Sequence, residues 1–255
     1  MLELRNAGFE QAGKWRLQPL DLTVTGGEVM GILGPNGAGK STLLSLMAGE
    51  LIPTAGAVML DGYPLPHWTG RERALRLAVL PQTATLGFEF TVEEVISFGR
   101  SPHNTGLAAD NALIGQLLLA CDLAPLRYRS YLQLSGGERQ RVQIARVMAQ
   151  LSPAAYGKVL LLDEPVAALD PRHQHRTMRL AREVAGEGAA VVAVLHDLNL
   201  AARYCDRLLL LERGSVVALG MPGQVLRADW LERLFGLPVI IQQHPQLGHP
   251  LVVVQ

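Results

Sequence analysis

The chain has 255 residues, 49% hydrophobic and 18% charged, enough apolar material for one large α/β domain or a core with one inserted subdomain. Lys plus Arg and Asp plus Glu number 23 each, so the formal net charge is zero. The chain lacks the basic excess or stripe of a nucleic-acid binder, which counts against nucleic acid as a partner.

The opening MLELRNAGFE shows no basic region followed by an apolar core, so no signal peptide is expected. Leu2–Leu4 and Leu20–Val24 alternate as strands. Glu28–Leu33 (EVMGIL) is a short apolar run that suits a buried parallel strand, and after a glycine-rich turn Ser41–Ala48 has helical spacing. Gly56–Leu60 and Leu77–Leu80 read as further strands. From Thr91 to Met148 the pattern turns helical, in TVEEVISFGR, ALIGQLLLACDL and GERQRVQIARVMAQL. Strands return at Lys158–Leu162 and Ala189–Leu195 around a helix at Arg172–Val184. Leu208–Leu211 and Ser215–Ala218 form a hairpin pattern around Arg213-Gly214, and Val239–Val254 a small terminal hairpin. The expected architecture is α/β: a core with a mostly parallel sheet, N-terminal antiparallel strands and an inserted all-helical subdomain; the glycine-rich turn, GPNGAGKS at 34–41, makes that core one of P-loop NTPase type. The expected division is a core of 1–82 and 155–235, a helical subdomain of 83–154 and a tail of 236–255. Cys121 and Cys205 sit in apolar helix-like stretches and read as buried thiols in a reducing compartment. The longest apolar runs, such as Ala189–Leu195, fall far short of the roughly 18 residues that span a bilayer, so any membrane contact is expected through a partner.

Gly34–Ser41 (GPNGAGKS) matches the phosphate-binding pattern G-x-x-x-x-G-K-[ST], with a strand before it and a helix after it. Gly34, Gly37 and Gly39 permit the sharp turn that aims backbone N–H groups at phosphate oxygens, and Pro35, Asn36 and Ala38 fill the loop between them. The helix N-terminus adds its positive dipole end. Lys40 is placed to reach the β and γ phosphates, Ser41 to ligate Mg²⁺ and Thr42 to meet the α phosphate. Val159–Pro165 (VLLLDEP) brings an acidic pair to a strand's C-terminal end, where open α/β sheets bind ligands. Asp163 suits the Mg²⁺ water shell, and Glu164 suits polarising an attacking water. His196, directly after another buried strand, is placed to bond the γ phosphate.

A second anion site opens at LSGGERQRV. Ser135 and Glu138 have capping-box spacing, so a helix starts at Gly136 and Gly137 and runs through Ala149. Val142, Ala145 and Met148 recur on its buried face, and Arg139 and Arg141 stay in solvent. Its N-terminus offers bare N–H groups, a hydroxyl and a dipole.

With GPNGAGKS, LSGGE at 134–138, VLLLDEP, ALD at 168–170 and His196 in this order, the whole chain resembles the nucleotide-binding subunit of an ATP-binding cassette (ABC) transporter. The resemblance implies that Ser135, Gly136, Gly137 and Glu138 close on the ATP of a second copy, in a head-to-tail homodimer with two ATP molecules at the interface. It implies that Gln82 contacts Mg²⁺ and hinges the helical subdomain, and that Asp170 communicates across the dimer. Ala167 and Ala168 stand where the family usually has a serine or threonine. An adenine-stacking aromatic is expected at Trp15, with Phe9 the alternative. The partners implied are two transmembrane permease subunits and, through them, a periplasmic substrate-binding protein. The place implied is the cytoplasmic face of the bacterial inner membrane, held peripherally. MAGEL, LPQTATLGFEFTVEEVISFGRSPH, HDLNLAARYCDRLLLL and the FGLPV…HPQLGHPL ending narrow the likeness to importers of iron-chelate, haem or cobalamin type, with haem foremost. No residue reads as a haem ligand: His67, His103, His173, His175, His244 and His249 read as surface or structural histidines.

Overall fold

The computed structural model describes residues 1–83, 87–152 and 157–255. Strand β1 (Leu2–Gln11) turns through Ala12 and Gly13, both at positive φ, into β2 (Lys14–Val24). Both strands run far beyond the segments the alternation predicts. Register shifts after Leu4, Ala7 and Phe9 break the period of two that a sequence pattern depends on. Next come β3 (Val29–Leu33), α1 (Lys40–Ala48), β4 (Ala55–Leu60) and the two-residue β5 (Tyr63–Pro64). An unanticipated short helix, α2 (Gly70–Arg76), starts on a Thr69–Glu72 capping box and passes directly into β6 (Leu77–Leu80).

Beyond β6 the regular elements are helical: α3 (Val92–Ser97), α4 (Leu107–Ala120) and α5 (Gly136–Leu151). The chain then alternates through β7 (Val159–Asp163), α6 (Pro171–Gly186), β8 (Ala190–Val194) and α7 (Leu198–Tyr204). It ends with the hairpin of β9 (Arg207–Glu212) and β10 (Ser215–Gly220), two short helices α8 (Pro222–Val225) and α9 (Ala228–Phe235), and the hairpin of β11 (Val239–Gln243) and β12 (Pro250–Val254). Helices α8 and α9, of four and eight residues, are not among the elements expected from the sequence.

Two sheets organise these elements. The larger has the order β10-β9-β3-β8-β7-β6, with the five strands from β9 to β6 parallel and β10 antiparallel at the edge. Every residue of β3, β7 and β8 is buried, which accounts for their unbroken apolar sequences. The smaller sheet is antiparallel, in the order β2-β1-β4-β5. Helix α1 lies between the two, its Leu43, Leu46 and Met47 fully buried with Leu2, Leu17, Ile32 and Val192. On the other face α3, α4 and α5 pack together and meet the larger sheet through α5 against β6.

Arg141 departs from the expectation of a solvated face. It is half-buried and donates to the carbonyls of Cys121, at 3.0 Å, and Asp122, holding the end of α4 against α5. Arg139 is exposed as expected. Both cysteines are free and buried, and burial pushes each thiol up to about 12. Among the described residues no helix is long and apolar enough to cross a membrane. Leu160 is fully buried in β7 and pairs with Ala78 and Val191 on either side. Leu160→Ala is expected to lower unfolding stability by about 2–5 kcal/mol, read as a shift in the urea midpoint at unchanged slope.

Candidate active site

Four parallel strands deliver the site. In register, Ile32 pairs with Val194, Val194 with Asp163 and Leu162 with Leu80, so β3, β8, β7 and β6 end at one level of the sheet. The residues at and just past these strand ends are therefore brought together: the loop from Gly34 after β3, His196 after β8, Asp163 and Glu164 at the end of β7, and Gln82 after β6. Arg16, Asn36, Gly37, Ala38, Gly39, Lys40, Ser41, Thr42, Gln82 and Glu164 line a cavity of about 290 Å³.

The loop is shaped by contacts that exclude side chains. A Cβ at Gly34 would stand 2.3 Å from the Leu211 carbonyl oxygen, and one at Gly39, where φ is 101°, would stand 2.8 Å from that of Arg16. The loop is thus pressed against the start of β2 and the β9–β10 turn. Gly214 N–H donates to Ala38 O at 2.9 Å, and Gln18 N–H donates to Gly214 O at 2.7 Å. Gly39 caps α1 with no side-chain bond, which leaves the N-terminal amides of that helix free for an anion. Lys40 is buried, and its ammonium donates to the carbonyls of Gly34 at 2.7 Å and Pro35 at 3.0 Å. Burial draws its pKa down, with the opposing pull of Glu164 and Asp163 too small to restore it.

The carboxylates are tuned in opposite directions. Burial, and then the neighbouring Glu164 charge, raise the Asp163 carboxyl, while the Ser41 hydroxyl and Lys40 act the other way. Oδ1 of Asp163 is buried and has no hydrogen-bond partner. At Glu164 burial also acts upward, but the His196 ring, Gln82 and Lys40 outweigh it and hold the carboxyl below its ordinary value. His196 Nε2 lies 2.7 Å from Glu164 Oε1. Glu164 has φ 49°, a left-handed conformation rare for a residue with a Cβ and typical of strained functional turns. Asp163 finishes the strand, and the turn at Glu164 swings the second carboxylate towards Gln82 and His196.

Other sequence-predicted residues lie elsewhere. Trp15 is exposed on β2 opposite Glu10 and does not line the cavity, and Phe9 packs half-buried against the core between the sheets. Neighbouring residues on a strand face opposite ways, and Arg16 is the one that reaches the cavity. Nothing in the sequence singles Arg16 out, because its place depends on β2 crossing above a loop that follows β3. Ser135, Gly136, Gly137 and Glu138 are also outside the cavity. The predicted capping box is present: Ser135 N–H donates to Glu138 Oε2 at 2.7 Å, and Glu138 N–H to Ser135 Oγ at 3.3 Å. A Cβ at Gly137 would stand 2.9 Å from Ala168 O, so this helix start rests on the ALD segment with Ser135 and Gly136 facing solvent. Asp170 caps α6 through His173 N–H at 3.0 Å and bonds the His173 ring at 2.7 Å.

The arrangement suits a triphosphate: amides and cations for the anion, and a carboxylate pair at its far end. Residues 17–167 match the family model described as ABC transporter. The chain belongs to the ABC transporter family. It is 54% identical over 253 residues to the hemin import ATP-binding protein HmuV of Pseudomonas aeruginosa, covering 99% of both chains. It is 53% identical over 256 residues to the protein of that name from Myxococcus xanthus, covering 99% of this chain and 96% of the relative. An inward-facing ABC transporter described as metal-chelate type superposes with TM-score 0.81 at 29% identity, over 100% of this chain and 96% of that one. The ATP-binding cassette MJ0796, in a dimeric post-hydrolysis state bound to ADP and Pi, superposes with TM-score 0.77 at 27% identity, over 87% and 99%. As an ABC ATPase, this chain binds ATP and hydrolyses it.

Burial makes the ionised Asp163 carboxylate costly to the fold. A carboxyl whose folded pKa is raised stabilises the fold in its protonated form, fully below its unfolded value, and that contribution is lost as pH rises through the folded pKa. Asp163→Asn is therefore expected to raise the unfolding temperature of nucleotide-free protein at pH 8 and to change it much less at pH 4. Calorimetry at both pH values checks this, and a lowered midpoint at pH 8 would contradict it.

Proposed function

We propose that this chain is the ATP-hydrolysing subunit that drives haemin import through a bacterial ABC importer, working as a head-to-tail homodimer on two permease subunits. The observation that carries the cargo is the identity of 54% across 99% of both chains with a hemin import ATP-binding protein. The same role with a ferric siderophore or cobalamin as cargo is the second reading, favoured by the likeness to a transporter of metal-chelate type. On this reading the cassette sits on the cytoplasmic face of the inner membrane and receives cargo from a periplasmic binding protein through the permeases. Residues 1–82 and 155–235 act as the nucleotide-binding core, 83–154 as the helical subdomain and 236–255 as the tail.

The site accommodates Mg²⁺. The orphaned Oδ1 of Asp163, the nearby Ser41 hydroxyl and the Gln82 amide oxygen are hard oxygen donors of the kind that ion prefers. Such an ion is held by few protein ligands, with phosphate and water completing its shell. When bound, Mg²⁺ neutralises charge on the β and γ phosphates.

The chain's own residues do the rest. Lys40 leaves the carbonyls of Gly34 and Pro35 to bond the phosphates, Thr42 meets the α phosphate, and the amides from Asn36 to Gly39 cradle the remainder. Arg16 adds a cation at the mouth of the cavity. Glu164, kept ionised by its surroundings, accepts a hydrogen bond from the attacking water, and His196 donates to the γ phosphate and holds Glu164. Trp15 is the proposed adenine contact. Ser135, Gly136, Gly137 and Glu138 lie outside their own chain's cavity and present a capped helix end to solvent, which supports binding of the partner's ATP. Asp170, on the adjoining segment, carries contact between the two sites.

Glu164→Gln is expected to lower steady-state hydrolysis at least about 100-fold while retaining ATP affinity, because the binding groups survive and the water-polarising carboxylate is lost. Gel filtration in ATP should then show a stable dimer. Unchanged turnover would refute the role of Glu164. The cargo is tested with the cassette and its permeases in liposomes: haemin-loaded binding protein should stimulate ATPase activity several-fold, and a siderophore-loaded one should not.

A further inference from the structure

Helix α7 starts two residues after His196 and is pinned from two sides. Within the chain, Asp197 caps it, with Oδ1 accepting from the amides of Asn199 at 2.8 Å and Leu200 at 2.9 Å. From outside, the Asn199 side chain grips the terminal hairpin. Its Nδ2 donates to Val252 O at 3.0 Å, and its Oδ1 accepts from Val252 N–H at 2.7 Å. One amide thus satisfies both main-chain groups of a β12 residue, as a neighbouring strand would. The attachment is reinforced by burial, since Val252 and Val239 join the core that holds Leu200 and Ala201 of α7.

His196 itself has little to hold its ring. Its side chain is half exposed, and its polar contact among the described residues is the one with Glu164. Its aim is therefore set by its backbone, between β8, which is rigid and fully buried, and the first turn of α7. The fixed points of that turn are Asp197 and Asn199. The hairpin lies outside residues 17–167, which carry the family match.

We propose that Asn199 is a positioning residue: by clamping α7 to β12, it makes the terminal hairpin the part of the chain that fixes His196 on Glu164. This rests on the role given to His196 above. A shift of about 1 Å in a reacting or positioning group is enough to cost up to about 100-fold in rate, so the clamp acts on turnover rather than on nucleotide affinity.

The test uses the full chain, with ATP as ligand, in single-turnover hydrolysis at excess enzyme so that slow variants are measured. It is run well below the unfolding temperature of every variant. Asn199→Ala is expected to slow hydrolysis about tenfold while ATP affinity stays within twofold. Asn199→Asp, which keeps the acceptor for Val252 N–H and loses the donor, should fall between it and the parent. His196→Ala should be at least as slow as Asn199→Ala, and the double variant no slower than His196→Ala, because Asn199 has nothing left to aim. Full activity in Asn199→Ala overturns the proposal, as does a double variant slower than His196→Ala by the whole factor of the Asn199 change. Full activity in His196→Ala removes the reading of the site itself, and this proposal with it.

Discussion

The common level of four parallel strand ends is the constraint on which the rest depends. Apart from the run Gly34–Thr42 and the Asp163–Glu164 pair, the groups of the site are far apart in sequence, and that loop, Gln82, His196 and the acidic pair meet only because β3, β6, β8 and β7 share a register. That register is held by strands buried on both faces, where a slip would leave unpaired backbone groups without water. The core is thus both the source of stability and the ruler that sets distances at the cavity. The same ruler explains the strain at Glu164. Strand pairing fixes Asp163 in place, so the next residue has to turn at positive φ if its carboxylate is to face His196.

The electrostatics follow from burying charges at such an edge before a ligand arrives. Lys40 is shifted down and Asp163 up, each mainly by burial, so both are held in surroundings that disfavour their charged forms. On the proposed roles, a triphosphate would supply negative charge to Lys40, and an accompanying Mg²⁺ would supply positive charge to Asp163. Glu164 differs because it has partners of its own and stays ionised without a ligand. Burial thus disfavours the charged forms of Lys40 and Asp163, while Glu164 is held towards its ionised form, as its proposed role requires. This division matches opposite environments to opposite tasks.

Sequence legibility tracked how local each device is. GPNGAGKS, the Ser135–Glu138 capping box and VLLLDEP are readable because glycine, cap and carboxylate each act within a few residues of their own position. The parallel strands are readable because burial on both faces leaves an uninterrupted apolar run. The length of β1 and β2 is not, since register shifts after Leu4, Ala7 and Phe9 scramble the alternation. Arg16 is hidden for a different reason: it reaches the cavity across two sheets, and its neighbour Trp15 draws attention as the more conspicuous side chain. Arg141 looks like a solvated face in the sequence, but it is tied to the carbonyls that end α4. The Asn199 clamp spans 53 residues, and an asparagine inside NLAARY gives no sign of a partner that far away.

These hidden contacts share a pattern that bears on how the molecule moves. The phosphate loop is braced by β2 and the β9–β10 turn, both on the sheet side, through main-chain bonds and contacts too close for a Cβ. The start of α5 is braced differently, by Gly137 against Ala168 and by Gln140 Nε2 donating to Pro165 O at 3.2 Å. Those contacts fall within the segment that runs from Glu164 to Asp170. The acidic strand end therefore meets the glycine loop through Lys40 and Ser41, and the segment that follows it meets the exposed helix end. From Glu164 the chain runs directly into Pro165 and Ala168, which touch Gln140 and Gly137 at the start of α5. With the roles proposed above for Glu164 and Ser135, this segment would link the point of water attack to the helix end that faces outward.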